Sequence, residues 1–213
     1  PNKSNDVAFA QFQDQQEKNN DDISRTRRNI ITETVKNISP AVVGINVIGI
    51  REYRDPFSSF FDDPFFQRFF GNRGTYNQQV KGLGSGYIIS SDGYIITNDH
   101  VAGNATKITV TLTDERSFDA KIVGSDPASD VCLLKINGDN LPYMELGNSD
   151  DIIIGEWVIA LGNQFGLFEL NDKPTVTVGV VSATGMNLDA INDRYYLNMI
   201  QTDASINGGN SGG

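Results

Sequence analysis

Ser211 lies in "TDASINGGNSGG", and a serine framed by glycines is either an ordinary loop residue or a nucleophile. In the second case the glycines matter because they leave backbone N–H groups bare where an oxyanion develops, which side chains would obstruct. A serine hydroxyl is a weak nucleophile at its free pKa, so it needs a base within hydrogen-bond reach and an acid that orients the base. The one histidine, His100, stands in "YIITNDHVAG", directly after a strand-like run. Asp130, in "SDPASDVCLLKI", stands at the mouth of another. Singly, each has an ordinary reading: a lone histidine as a structural or surface residue, a carboxylate at a strand edge as a turn acceptor. Jointly they form a complete set. His100 would take the Ser211 proton and later deliver it to a leaving amine, while Asp130 would hold the imidazole tautomer and stabilise the imidazolium. The N–H groups of Gly209 and Ser211 would form the oxyanion hole, where loss of one donor typically costs roughly 100- to 1,000-fold in rate.

The chain order His, Asp, Ser, each at the end of a strand-like run, is that of the chymotrypsin-type two-barrel proteases, the reference case for these three roles. Such residues need a rigid sheet beneath them, and the chain supplies the pattern. From Leu83 onward short β-type runs alternate with turn residues: "GYIIS", "SDG", "YIITN", "KITVTL", "TDERS", "FDAKIVG", "VCLLKI". After "NGDNLPY" a second series follows, "DIIIGEWVIALG", "TVTVGVVSAT" and "YYLNMIQTD". Strands so spaced, joined by Gly/Asn/Asp/Ser turns without alternating helices, indicate an antiparallel sandwich or barrel architecture. The break near Asn137 to Pro142 separates two all-β halves, the first taken with the helix ahead of it at 23–138 and the second at 139–213.

Upstream, Pro1 to about Asp22 is rich in Asn, Gln, Asp and Lys and reads as a solvated polar tether. "ISRTRRNIITETV", Ile23 to Val35, has near-helical apolar spacing and predicts a short helix, ended by Ser39-Pro40 because proline disfavours a helical predecessor. The strand "AVVGINVIGI" follows. Residues 51–81, with "DPFSSFFDDPFFQRFFGNRGTYNQQ", are rich in phenylalanine yet lack strand alternation, so they read as a long loop. Its aromatics either dock onto another surface or cluster under the loop itself.

Composition excludes several classes of function. The chain has 213 residues, enough to bury a substantial core as one domain or two small ones. Acidic residues outnumber basic ones, 27 to 17, for a formal charge of −10, which repels phosphate backbones and argues against nucleic-acid binding. No apolar stretch approaches the roughly 18 residues that span a bilayer. Cys132, in "VCLLKI", has no cysteine to pair with and reads as a buried small hydrophobe. One Cys and one His make a soft-ligand or imidazole metal site improbable, and no metal or other cofactor is expected. The first residue is Pro1, with no charged-then-apolar signal ahead of it, so either processing removed one or the chain is an excerpt.

The motifs also carry a family resemblance. "ISPAVVGINV", "LGSGYIISSDGYIITNDHV", "DPASDVCLLKI", "GEWVIALGNQFGL", "VGVVSATG" and "IQTDASINGGNSGG" together resemble the HtrA or Deg-type serine proteases from about Ile38 to Gly213. The resemblance implies an all-β fold of two perpendicular six-stranded antiparallel barrels with the active site in the cleft between them. It implies an ATP-independent endopeptidase that acts on unfolded or misfolded envelope proteins, a periplasmic or envelope location, and a homotrimer or higher oligomer. It places Ile206 at the border of the primary substrate pocket, where its bulk would favour small aliphatic side chains. The phenylalanine-rich insert corresponds to the long first-barrel loop that in this family reaches toward another trimer. Two positions depart from the family pattern: Gln164 stands where "GNPFG" has proline, ahead of the longer stretch "FELNDKP", and Gly208 stands where Pro or Arg usually precedes "GNSGG". A reading of another class is a chaperone-like or sensory protein that binds unfolded chains with little hydrolysis. Because the sequence ends two residues past Ser211, where the two-barrel fold continues with further strands, we expect a complete first barrel, a second one open on one side, and Ser211 in a frayed terminus.

Overall fold

The computed structural model describes residues 27–50, 79–163, 173–188, 190 and 194–213. The tether at 1–22, nearly all of the long loop at 51–81, and Gln164 with most of the stretch after it lie outside the described residues. The chain divides into two units, Pro1–Asn37 and Ile38–Gly213.

Of the helix expected over 23–35, residues 23–26 lie outside the described residues. Helix α1 spans Ile30–Ile38, and Asn29 caps it reciprocally with Thr32. The Asn29 Oδ1 accepts from the Thr32 N–H at 3.0 Å, and the Thr32 Oγ1 accepts from the Asn29 N–H at 2.9 Å. This arrangement satisfies two otherwise orphaned N–H groups and sets the start of the helix. At the other end Pro40 enters a short 3-10 turn, Ser39–Ala41, which leads into the first strand.

Six strands form a closed antiparallel barrel: β1 (Val42–Ile50), β2 (Gln79–Ile88), β3 (Tyr94–Thr97), β4 (Lys107–Leu112), β5 (Ser117–Asp126) and β6 (Val131–Ile136), in the order β1-β2-β3-β6-β5-β4. Strand β1 closes the ring by pairing with both β2 and β4, so that Val43 lies opposite Gly86 on one side and Leu112 on the other. β-branched residues dominate β1, β3 and β4, and the period-two alternation of a strand sends alternate side chains inward. Thus Ile108, Val110 and Leu112 of β4 and Cys132, Leu134 and Ile136 of β6 are buried against Val43, Ile45, Ile88 and Ile95. Cys132 is a buried free thiol with a pKa raised by burial, as suits a small core hydrophobe. Strand β2 starts four residues earlier than the change of texture at Leu83 indicates, because Gln79 to Gly82 pair with Val47 to Ile50 of β1.

The second half carries a three-stranded antiparallel sheet, β7 (Trp157–Gly162), β8 (Thr175–Met186) and β9 (Met199–Thr202), in that order. The run "DIIIGEW" does not extend β7 backwards. There the chain turns at Gly155, φ 95°, whose N–H donates to Val181 O at 2.8 Å. Ile153 and Ile154 are consequently left outside the strand and exposed. Among the described residues this sheet does not close, so a complete first barrel stands beside an open second one.

The expectation of a frayed terminus around Ser211 does not hold. The segment from Gly209 to Gly213 is pinned by hydrogen bonds to β2 and within its own turn, described below, because its backbone groups find protein partners in place of water.

Candidate active site

His100 sits on α2, the four-residue helix Asp99–Ala102 that directly follows β3. Its placement is dictated largely by Asp130, at the start of β6. The Asp130 carbonyl accepts from Asn98 Nδ2 at 2.9 Å and from the Asp99 N–H at 3.1 Å, and its Oδ1 accepts from the His100 N–H at 2.9 Å. The remaining carboxylate oxygen, Oδ2, lies 2.7 Å from His100 Nδ1. An ionised carboxylate only accepts, so Nδ1 carries the proton and Nε2 is left as the basic nitrogen. Burial is the largest influence on the Asp130 pKa and acts to raise it. Hydrogen bonds from the His100 ring and backbone, with the positive charges of His100 and Arg194, outweigh it and hold the carboxyl below its ordinary range.

Behind this pair stands a cluster that the sequence reading did not find. Arg194, from the segment between β8 and β9, buries its guanidinium against two carboxylates: Nη2 donates to Asp99 Oδ2 at 3.2 Å, and Nε is 3.5 Å from Asp130 Oδ1. Asp99 also accepts from Ser125 Oγ of β5 at 2.5 Å. The Tyr196 phenol shares this environment, and burial, followed by the charge of Asp130, raises its pKa. An acidic residue beside the histidine was visible in "NDHV"; its cation, 95 residues away, had no local signal.

Ser211 is held against β2. Ser85, buried in β2, accepts from the Asn163 N–H and donates to Gly209 O through its Oγ, both at 2.6 Å, and its own N–H donates to Ser211 O at 2.8 Å. The Gly213 N–H donates to Asn210 O at 2.9 Å, so the carbonyls of Gly209, Asn210 and Ser211 are all engaged. Ser85 is a second residue that the sequence reading did not single out, although it stands within "LGSGYIISSDGYIITNDHV". The close approach explains two glycines. A Cβ on Gly84 would run into the Val101 side chain and come within 3.2 Å of Ser211 O. One on Gly212, φ 86°, would collide with Ser85 O and Thr97 Oγ1. Val101 follows His100 directly, so the Ser211 backbone and the His100 helix meet across Gly84. Gly209 is buried, and Ile206 is 61% exposed. Asp203 is committed elsewhere, its Oδ1 accepting from the Val180 N–H at 2.7 Å.

The chain is also similar to known proteins. The family described as "Trypsin-like peptidase domain" matches residues 84–213, more than half of the chain. A protein named "Probable periplasmic serine endoprotease DegP-like" from Chlamydia pneumoniae is 47% identical over 164 residues, covering 76% of this chain and 32% of that protein. One of the same name from Hahella chejuensis is 44% identical over 192 residues, covering 85% and 39%. The chain thus spans about a third of the length of these curated relatives. Among solved structures, "HtrA-type protease AlgW with decapeptide" superposes with a TM-score of 0.65 at 41% identity, covering 86% of this chain and 54% of that one. "HtrA-type protease AlgW with tripeptide" gives 0.66 at 37% identity, covering 86% and 49%. A peptidase-domain match that begins in β2 and runs through Ser211, together with these relatives, establishes that the chain belongs to the trypsin-like peptidases, among relatives of the HtrA/DegP type.

Proposed function

We propose that the protein is a serine endopeptidase in which Ser211 is the nucleophile, His100 the general base and acid, and Asp130 the residue that orients and charges the imidazole. The observation that carries this reading is the two-point grip of Asp130 on His100, one oxygen on the backbone N–H at 2.9 Å and the other on Nδ1 at 2.7 Å. Asp130 thereby holds the ring in place and favours the tautomer in which Nε2 is the nitrogen that accepts a proton. The N–H groups of Gly209 and Ser211 are the proposed oxyanion donors. Engagement of the Gly209, Asn210 and Ser211 carbonyls favours this role, since it keeps those oxygens occupied on the barrel side. The proposed cycle is attack of Ser211 Oγ on the scissile carbonyl, proton transfer to His100 Nε2, expulsion of the amine with that proton, and hydrolysis of the acyl-enzyme by water.

The relatives' names point to the periplasm, and we place the activity there, on unfolded or misfolded envelope polypeptides, with ATP-independent quality control as its role and a homotrimer or higher oligomer as its assembly. Ile206 is proposed to border the primary pocket and to favour small aliphatic side chains, and the engagement of Asp203 with Val180 leaves that carboxylate no reason to select Lys or Arg. A cleavage-site profile from a peptide library dominated by Arg or Lys would overturn this assignment. The competing reading, a chaperone-like or sensory protein with little hydrolysis, is separated by one experiment. The full-length protein should cleave an unfolded polypeptide, and Ser211→Ala should abolish turnover with little change in melting temperature. Equal turnover in the two proteins would sink the nucleophile assignment.

A further inference from the structure

Asp99 precedes His100 on α2, Asp130 bonds the His100 backbone and ring, and each carboxylate side chain is only 4% exposed. Two buried carboxylates this close would repel one another, and leaving one of them without a counter-charge is costly. Arg194 lies against both, at 3.2 Å from Asp99 Oδ2 and 3.5 Å from Asp130 Oδ1, with its own side chain 7% exposed. It touches the Asp130 oxygen that receives the His100 N–H, which leaves the other oxygen facing Nδ1. We propose that Arg194 is a positioning residue for the peptidase reaction: its guanidinium clamps Asp99 to Asp130, orients the Asp130 carboxylate toward His100, and sets how strongly the imidazolium is stabilised. This inference rests on the serine peptidase reading for its catalytic consequence, while the electrostatic part stands on geometry alone.

The fork of a guanidinium suits this role because it is planar, permanently charged and presents several N–H groups in fixed directions. Lysine would supply the charge without the fork. Among the described residues, the charged and titratable groups around the pair include Asp99 on α2, Asp130 and Cys132 on β6, and Arg194 and Tyr196 between β8 and β9. With both carboxylates ionised and Arg194 present, these three groups sum to one net negative charge behind the imidazole's Asp130 contact. Removal of Arg194 leaves two, which favours the imidazolium and keeps the base protonated to higher pH. Removal of Asp99 alone leaves none and has the opposite sign. A purely structural role for Arg194 would lower activity at every pH without moving the profile.

The test is the acidic limb of the kcat/KM–pH profile of the full-length protein on an unfolded substrate, paired with the NMR titration midpoint of the His100 imidazole, whose signal is identified by its loss in His100→Gln. In Arg194→Gln the limb and the midpoint should both move upward by about one pH unit. In Asp99→Asn they should move downward, and the Arg194→Gln, Asp99→Asn double variant should return close to the parent. Arg194→Lys should keep the parent's limb with a lowered kcat. Coincident limbs and midpoints in Arg194→Gln, Asp99→Asn and the parent would overturn the proposal. If Arg194→Gln does not fold, Asp99→Asn decides alone, a downward shift supporting the inference and an unmoved midpoint refuting it. Should the parent show no turnover, or Ser211→Ala retain it, the peptidase reading fails. The imidazole midpoints then still decide the electrostatic claim.

Discussion

Asp130 adopts φ 59°, a left-handed backbone that Asp tolerates better than bulkier residues and that aims its carboxylate back at the helix carrying His100. The turn before it is tied by Asp126, which accepts from the Ala128 N–H and from Ser129 Oγ. Asp130→Asn preserves the size of the side chain but presents an amide to Nδ1, which favours the wrong imidazole tautomer. We expect a loss of roughly 10,000-fold in kcat with the fold retained, measured by steady-state kinetics alongside circular dichroism. The same carboxylate links stability to pH. Its folded pKa is depressed below its ordinary 3.8, so its stabilising contribution is present above that value and is lost as pH falls through the folded pKa. The stability gap between parent and Asp130→Asn in denaturant titrations should therefore be constant near neutral pH and narrow below about pH 4. A gap independent of pH would remove Asp130 as the linked group.

Strand β2 does more than complete the barrel, because a single buried residue on it holds the Ser211 loop by side chain and backbone together. Ser85→Ala keeps the backbone bond to Ser211 O but removes the Oγ bonds to Gly209 O and from the Asn163 N–H, each at 2.6 Å, and leaves the Gly209 carbonyl without its Ser85 donor. Stranding such groups costs about 1–3 kcal/mol. Misplacing the Ser211 turn by a fraction of an ångström to an ångström lowers kcat by up to on the order of 100-fold. Thermal melts and kcat should therefore fall together, and an unchanged kcat would mean that Ser85 is only a packing residue. One peptide in the same loop is held differently. Among the described residues no hydrogen bond engages Gly208 O or the Gly209 N–H, and glycine on both sides lets that peptide rotate at little steric cost. Gly208→Pro should alter basal turnover, and an unchanged rate would count against a switch at this peptide.

In the whole molecule the two sheets differ sharply in finish. The barrel buries its inward faces, whereas the second sheet and its flanks leave large apolar side chains in water, among them Trp157 and Ile153, both 68% exposed. Unpaired strand edges beside exposed apolar surface favour association. A polypeptide of residues 1–213 alone should therefore sediment as oligomers or aggregate, and replacing Ile153 and Ile154 with Asn should reduce this; a monodisperse monomer would contradict the reading. The barrel strands could be recognised in the sequence because alternation has a period of two residues and marks each strand locally, as "KITVTL" and "VCLLKI" do. His100, Asp130 and Ser211 could be proposed from residue type, flanking strand ends and chain order. The Arg194 clamp, 95 residues from Asp99, and the Ser85 anchor, 124 residues from Gly209, could not. Hydrogen bonds and ion pairs at such separations leave no periodic trace. They depend on where the chain path brings two segments together, which only the closed barrel and the strands docked against it decide.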